Sequence, residues 1–160
     1  MQYVEAPETY NGNAIKVFLA GGIGNCPDWQ QEAVGMLAHT ELAVFNPRRA
    51  TFPTPWDREN SRQQIEWEFE ALLEAEIILF WFPAGQSMQP IALFELGSHL
   101  RSKYARLAIG VEPGYPRLDD IEIQVGLIKG DQYPIFHTLE ETCGAVELLA
   151  SRIDPASRRH

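Results

Sequence analysis

Five near-continuous apolar runs divide the chain, with stretches of helical periodicity between them. The first, "AIKVFLAGG" (14–22), carries a single charge and ends in glycines, the pattern of a strand buried on both faces. "ELAVFNP" (41–47), "EIILFWF" (76–82), "ARLAIGVEP" (105–113) and "YPIFHT" (133–138) read as four more. After the first run, "NCPDWQQEAVGMLAHT" predicts a helix capped by Asn25 or Asp28, with Trp29, Ala33, Met36 and Leu37 on its inner face. "SRQQIEWEFEALLEAE" predicts a second, whose inward stripe is Ile65, Phe69, Leu72 and Leu73. "IALFELGSHLRSK" and "LEETCGAVELLASRI" supply two more, and "DDIEIQVGLIKG" (119–130) fits a short helix or a strand.

Strands that alternate with helices predict an α/β domain around a parallel sheet of about five strands. Residues 1–13 are polar, a loose arm or an edge contact, and 154–160 form a tail. The domain itself is expected over 14–153, because no repeat or linker divides it. In such sheets ligands bind beyond the carboxyl ends of the strands. "AGGIGN", "NPRR", "FPAGQSMQ" and "VEPGYP" all fall at those ends.

Charge narrows the function classes. With 13 Lys and Arg against 22 Asp and Glu in 160 residues, the net charge of −9 argues against nucleic-acid or anionic-membrane binding. A neutral small ligand, or an anionic one in a local basic pocket, remains compatible. No apolar run approaches the roughly 18 residues of a membrane span, and the N-terminus lacks a signal-peptide pattern. Cys26 and Cys143 stand far apart without metal-ligand spacing, so a reduced, cytoplasmic setting is expected.

Carboxylates remain as the reactive groups. The histidines, at 39, 99, 137 and 160, are scattered, and no Ser-His-Asp, Cys-His or metal cluster can be assembled from the spacing. Glu95 stands inside the mostly apolar "PIALFELGSH", at a helix start just past a strand end. A buried carboxylate there needs either a neutralising partner or a reactive role. On the acidic helix, Glu66, Glu70 and Glu74 read as a solvated face, whereas Glu68 lies between Trp67 and Phe69. Gly21 and Gly22 permit close backbone approach to a ligand, although "AGGIG" lacks the G-x-G-x-x-G spacing of a dinucleotide site. Asn46, Arg48 and Arg49 follow the second strand. An arginine there can bind a ligand or hold a catalytic carboxylate, while a solvated loop is the plain alternative for Arg49.

"VFLAGG", "FNPRR", "EFEALLEAEIILFWFP" and "IALFELGSHL" together resemble the nucleoside 2-deoxyribosyltransferase family over roughly residues 15–130. The most specific part is Glu68, eight residues before Glu76 at the strand opening, followed by the "ELG" of Glu95. The resemblance implies a flavodoxin-like, doubly wound fold and cleavage of the N-glycosidic bond of 2′-deoxynucleosides. It implies Glu95 as the nucleophile, a covalent deoxyribosyl ester, and transfer to a second, free nucleobase without a cofactor or metal. Glu68 stands where the family carries a base-binding aspartate, one methylene shorter. In the loop before the nucleophile the family often has a sugar-binding aspartate. "AGQSMQP" offers Gln86, Ser87 and Gln89 instead, of which Ser87 is the expected sugar contact. Phe82 is expected to stack on the base, and Trp81 to pack in the core. A homo-oligomer is also implied, with a neighbouring chain closing each pocket. Trp56, Trp67, Tyr104, Tyr115 and Tyr133 are candidate interface aromatics, and Asp120, Glu122 and above all Gln124 are candidates to reach the neighbour's ligand. Two other readings stay open: a 2′-deoxynucleoside 5′-monophosphate N-glycosidase, whose phosphate Arg48 and Arg49 could serve, and a non-catalytic sensor of a nucleotide derivative.

Overall fold

The computed structural model describes residues 1–154, so of the expected tail only Asp154 is covered and 155–160 lie outside. Its core is a six-stranded, all-parallel sheet in the order β1-β3-β2-β4-β5-β6. The strands are β1 (Gln2–Glu5), β2 (Lys16–Gly21), β3 (Ala43–Asn46), β4 (Ile77–Phe82), β5 (Arg106–Val111) and β6 (Ile135–Phe136). Leaving β1 aside, the order is the 2-1-3-4-5 of flavodoxin-like folds.

The sixth strand comes from the polar N-terminal segment, which takes the edge position. Gln2 to Glu5 pair in parallel with Ala43 to Asn46, and only Val4 of the four turns fully inward. The five apolar runs form strands because both faces of the sheet are covered. Val17, Leu19, Ile77 and Leu79 face one helical layer; Phe18, Ala20, Ile78 and Phe80 face the other. Each such buried side chain contributes about 1.5–3 kcal/mol relative to exposure.

The first layer is α1 (Trp29–Leu37) and α5 (Leu139–Ser151), with Trp29, Ala33, Cys143 and Val146 in contact with the sheet. Asp28 caps α1 by accepting from the Gln31 amide at 3.2 Å. Its inner face holds Trp29, Ala33 and Leu37 as expected, but Val34 rather than the exposed Met36 completes it.

The second layer is α2 (Arg58–Glu74), α3 (Pro90–Leu100) and α4 (Leu118–Lys129), so 119–130 is helical. Here the sequence expectation needs correction. Ile65, Phe69 and Leu73 are 62, 63 and 66% exposed, and of the expected stripe only Leu72 is buried. The inward face of α2 is instead Gln64, Ala71 and Leu72, with Trp67 packed against Phe18 and Phe45. The helix is rotated because its polar inward residues face the cleft described next, and the cleft fills the space that aliphatic side chains would otherwise occupy.

Candidate active site

Chain order reverses between β2 and β4, and the carboxyl ends of these two strands open onto a cleft of about 280 Å³. That is near the low end of the roughly 300–1,000 Å³ usual for small-molecule sites, fit for one compact ligand. Phe18, Ala20 and Gly21 of β2 form its floor. Pro47 and Glu68 close one side, and Ser87, Gln89, Ile91 and Glu95 the other.

Glu95 lies in the second turn of α3, between the buried Ala92 and Leu96 and the exposed Phe94. Burial pushes its carboxyl up to about 8, and the negative charge of Glu68 across the cleft adds to this. Burial also raises Glu68, against the hydrogen bond from Gln64 and the charge of Arg49, which lower it. Two carboxylates that face one desolvated space cannot both ionise cheaply, so the pair holds a proton at neutral pH.

The strand-end loops hold this geometry. Gln89 adopts a left-handed backbone at φ 47° directly before α3. Its Oε1 accepts from the Gly22 amide at 2.8 Å, tying the start of α3 to the end of β2. Its Nε2 is buried with no partner among the described residues. The Tyr115 hydroxyl donates to the Met88 carbonyl at 2.8 Å and fixes the same loop. Tyr115 is therefore a core residue rather than a surface aromatic, and Trp67 and Tyr133 are partly buried, whereas Trp56 and Tyr104 are exposed.

Glu68, Glu95, Gly21, Gly22 and Ser87 are thus gathered in one cleft. The glycines are required by packing as well. A Cβ at Gly21 would lie 2.3 Å from the Trp81 carbonyl oxygen, and one at Gly22 would lie 2.5 Å from Cys26 Sγ. Asn46, Arg48 and Phe82 lie beside the cleft and do not line it. Asn46 accepts from the Arg48 amide at 2.9 Å and donates to the Tyr3 hydroxyl at 3.0 Å. Arg48 reaches away to donate to the carbonyl of Pro27 at 2.8 Å and to Gln30 Oε1 at 3.3 Å, latching the loop before α1. Phe82 is wholly buried, stacked on Phe80 and tilted against Tyr115. Gln124 is exposed on α4, in a surface groove with Arg101 and Leu127. Glu76 sits at the opposite end of the sheet, where its Oε2 accepts from the Lys16 amide at 2.8 Å.

Sequence reasoning missed Gln64 as a site residue, and named Gln89 only as one of three polar residues in its loop, behind Ser87. For Gln64 a signal existed: it stands four residues before Glu68 and so shares its helix face. For the bond that Gln89 accepts there was none, since its partner Gly22 is 67 residues away.

No curated protein sequence matches the chain significantly. The model of the nucleoside 2-deoxyribosyltransferase-like family matches residues 14–115, a stretch that contains both carboxylates and every wall of the cleft, and the chain belongs to that family.

Proposed function

We propose that the protein cleaves the N-glycosidic bond of a 2′-deoxynucleoside and transfers the deoxyribosyl group to another nucleobase. The observation that carries this reading is the pair of carboxylates, Glu95 and Glu68, facing one cleft at the switch point of the sheet. Glu95 attacks C1′ as the C1′–N bond breaks, and the bonding electron pair stays on the base. The proton that Glu95 holds in the resting pair passes to Glu68 before the attack, and Glu68 delivers it to the departing ring nitrogen. A deoxyribosyl ester on Glu95 and a neutral base result. The incoming base then attacks C1′ from the opposite face, returns a proton to Glu68 and frees the Glu95 carboxylate. Two displacements give net retention. An anionic Glu95 also stabilises the oxocarbenium character that builds on the sugar before bonding is complete.

A 5′-monophosphate as substrate has less support. Among the described residues no lysine or arginine lines the cleft, Arg48 is engaged with the loop before α1, and Arg49 is buried against α2. A purely sensing role leaves the costly burial of the Glu95 carboxyl without a purpose.

The homo-oligomer is part of the same proposal. Ile65, Phe69 and Leu73 of α2, with Ile91 and Phe94 of α3, leave an apolar face open to solvent. Ile91 belongs both to that face and to the cleft wall, so a second copy seated there would border the ligand.

Incubation with deoxyinosine and free cytosine tests the reaction. Deoxycytidine and hypoxanthine are the expected products, and Glu95→Gln is expected to lower the rate by at least roughly a thousandfold with the fold intact. More than a tenth of the wild-type rate in that variant would sink the mechanism.

A further inference from the structure

Among the described residues, one buried arginine has no carboxylate in direct contact. Arg49 is only 7% exposed and makes no ion pair among the described residues. Its Nε donates instead to Gln64 Oε1 at 2.6 Å, and an Nη donates to Gln63 Oε1 at 3.2 Å. Gln64, 6% exposed, passes the connection on. Its Nε2 donates to Glu68 Oε1 at 2.8 Å and to the Pro47 carbonyl at 2.7 Å.

This chain of bonds can run in only one direction. A guanidinium has donors and no acceptor, so the oxygen of the Gln64 amide must face Arg49. The amide nitrogen must then face Glu68, and both its hydrogens are engaged. Glu68 Oε1 is thereby fixed as an acceptor, while Oε2 is left for a ligand. A cation buried without an ion pair is costly by itself, and here its compensation lies beyond Gln64.

We propose that Arg49 and Gln64 are positioning residues that act through Glu68, pinning one of its oxygens so that the other meets the nucleobase and gives up its proton. The proposal rests on the exchange reaction described above and adds to it a control on the acid. The charged groups that face Glu68 are Arg49, from the loop after β3, and Glu95, from α3; β2 presents Phe18 and Ala20. The Gln64 hydrogen bond and the Arg49 charge both favour the ionised form of Glu68, in opposition to burial. The relay therefore keeps Glu68 acidic enough to protonate a leaving base.

Gln64→Met, Arg49→Met and the double variant test this in the full-length protein. Each single change is expected to lower kcat roughly tenfold or more, to leave KM within about threefold, and to move the limb of the rate profile that Glu68 governs to higher pH. The double variant should be little worse than either single one, as for two links of one chain. Lower activity with both limbs unmoved, or losses that simply multiply, would overturn the relay. Should Gln64→Met fail to fold, Arg49→Lys serves: it keeps the charge and loses the Nε contact, and a partial shift in the same direction is expected. No shift there also overturns the proposal. Titration of the carboxyl carbons of labelled glutamate by NMR, with the Glu68 signal assigned through Glu68→Gln, gives a readout independent of turnover. Its midpoint should rise in Gln64→Met even if wild type performs no exchange, and an unmoved midpoint counts against the relay alone.

Discussion

With its carboxyl pushed up to about 8, Glu95 is mostly protonated in the resting protein at neutral pH. An unfolded glutamate titrates near its ordinary value of 4.5, so between those two pH values the native state binds more protons than the unfolded one. Stability from this group is complete below about 4.5 and is lost as pH rises through about 8. Glu95→Gln keeps the shape and removes the titration. At pH 7 the variant should be more stable than wild type by on the order of 2–3 kcal/mol, or roughly 5–10 °C in melting temperature. At pH 4 the two should melt together. Calorimetry across that range checks the sign, and a variant less stable than wild type at pH 8 would contradict the assignment of Glu95 as the strained carboxylate.

At the scale of elements, the sheet was largely legible in the sequence and the α2 face was not. Central strands such as β4, "IILFWF", are apolar at every position because helices cover both faces, and such runs announce themselves. β1 is harder to see, since an edge strand of four residues with one buried side chain leaves no periodic trace. In α2 the apolar stripe was read as the core face, but the side turned to the protein carries Gln64 and Glu68. A functional cleft inverts the usual rule by placing polar groups inward. Glu68 and Glu95 could still be picked out from their apolar neighbours in sequence. Gln89 was visible only as a polar loop residue, because its role depends on the link from α3 to β2. Gln89→Leu removes that link and leaves the Gly22 amide without its acceptor. A loss of about 1–2 kcal/mol in chemical denaturation is expected, with slower exchange as Glu95 is held less firmly. An unchanged midpoint would mean that the contact is incidental.

For the molecule as a whole, the two helical layers differ. α1 and α5 pack against each other and the sheet, while α2 and α3 present Phe69 at 63% and Phe94 at 74% exposure. Solvated apolar area on that scale points to association. Sedimentation at micromolar concentration should show a species heavier than the 18.1 kDa chain. Phe69→Lys should reduce it to monomers, with ligand affinity lowered because Ile91 at the cleft wall loses its cover. A wild-type monomer with full activity would dismiss the shared pocket.

The strained Glu95 also bears on how variants of this protein should be screened. A library ranked only by melting temperature at pH 8 would place Glu95→Gln above the parent, although that protein lacks the proposed nucleophile. Enrichment for robustness at alkaline pH would therefore select against the reaction proposed above. A stabilised version that still works must gain its stability elsewhere, at positions such as the exposed Leu127 or Leu148, and any selection must score product alongside heat resistance.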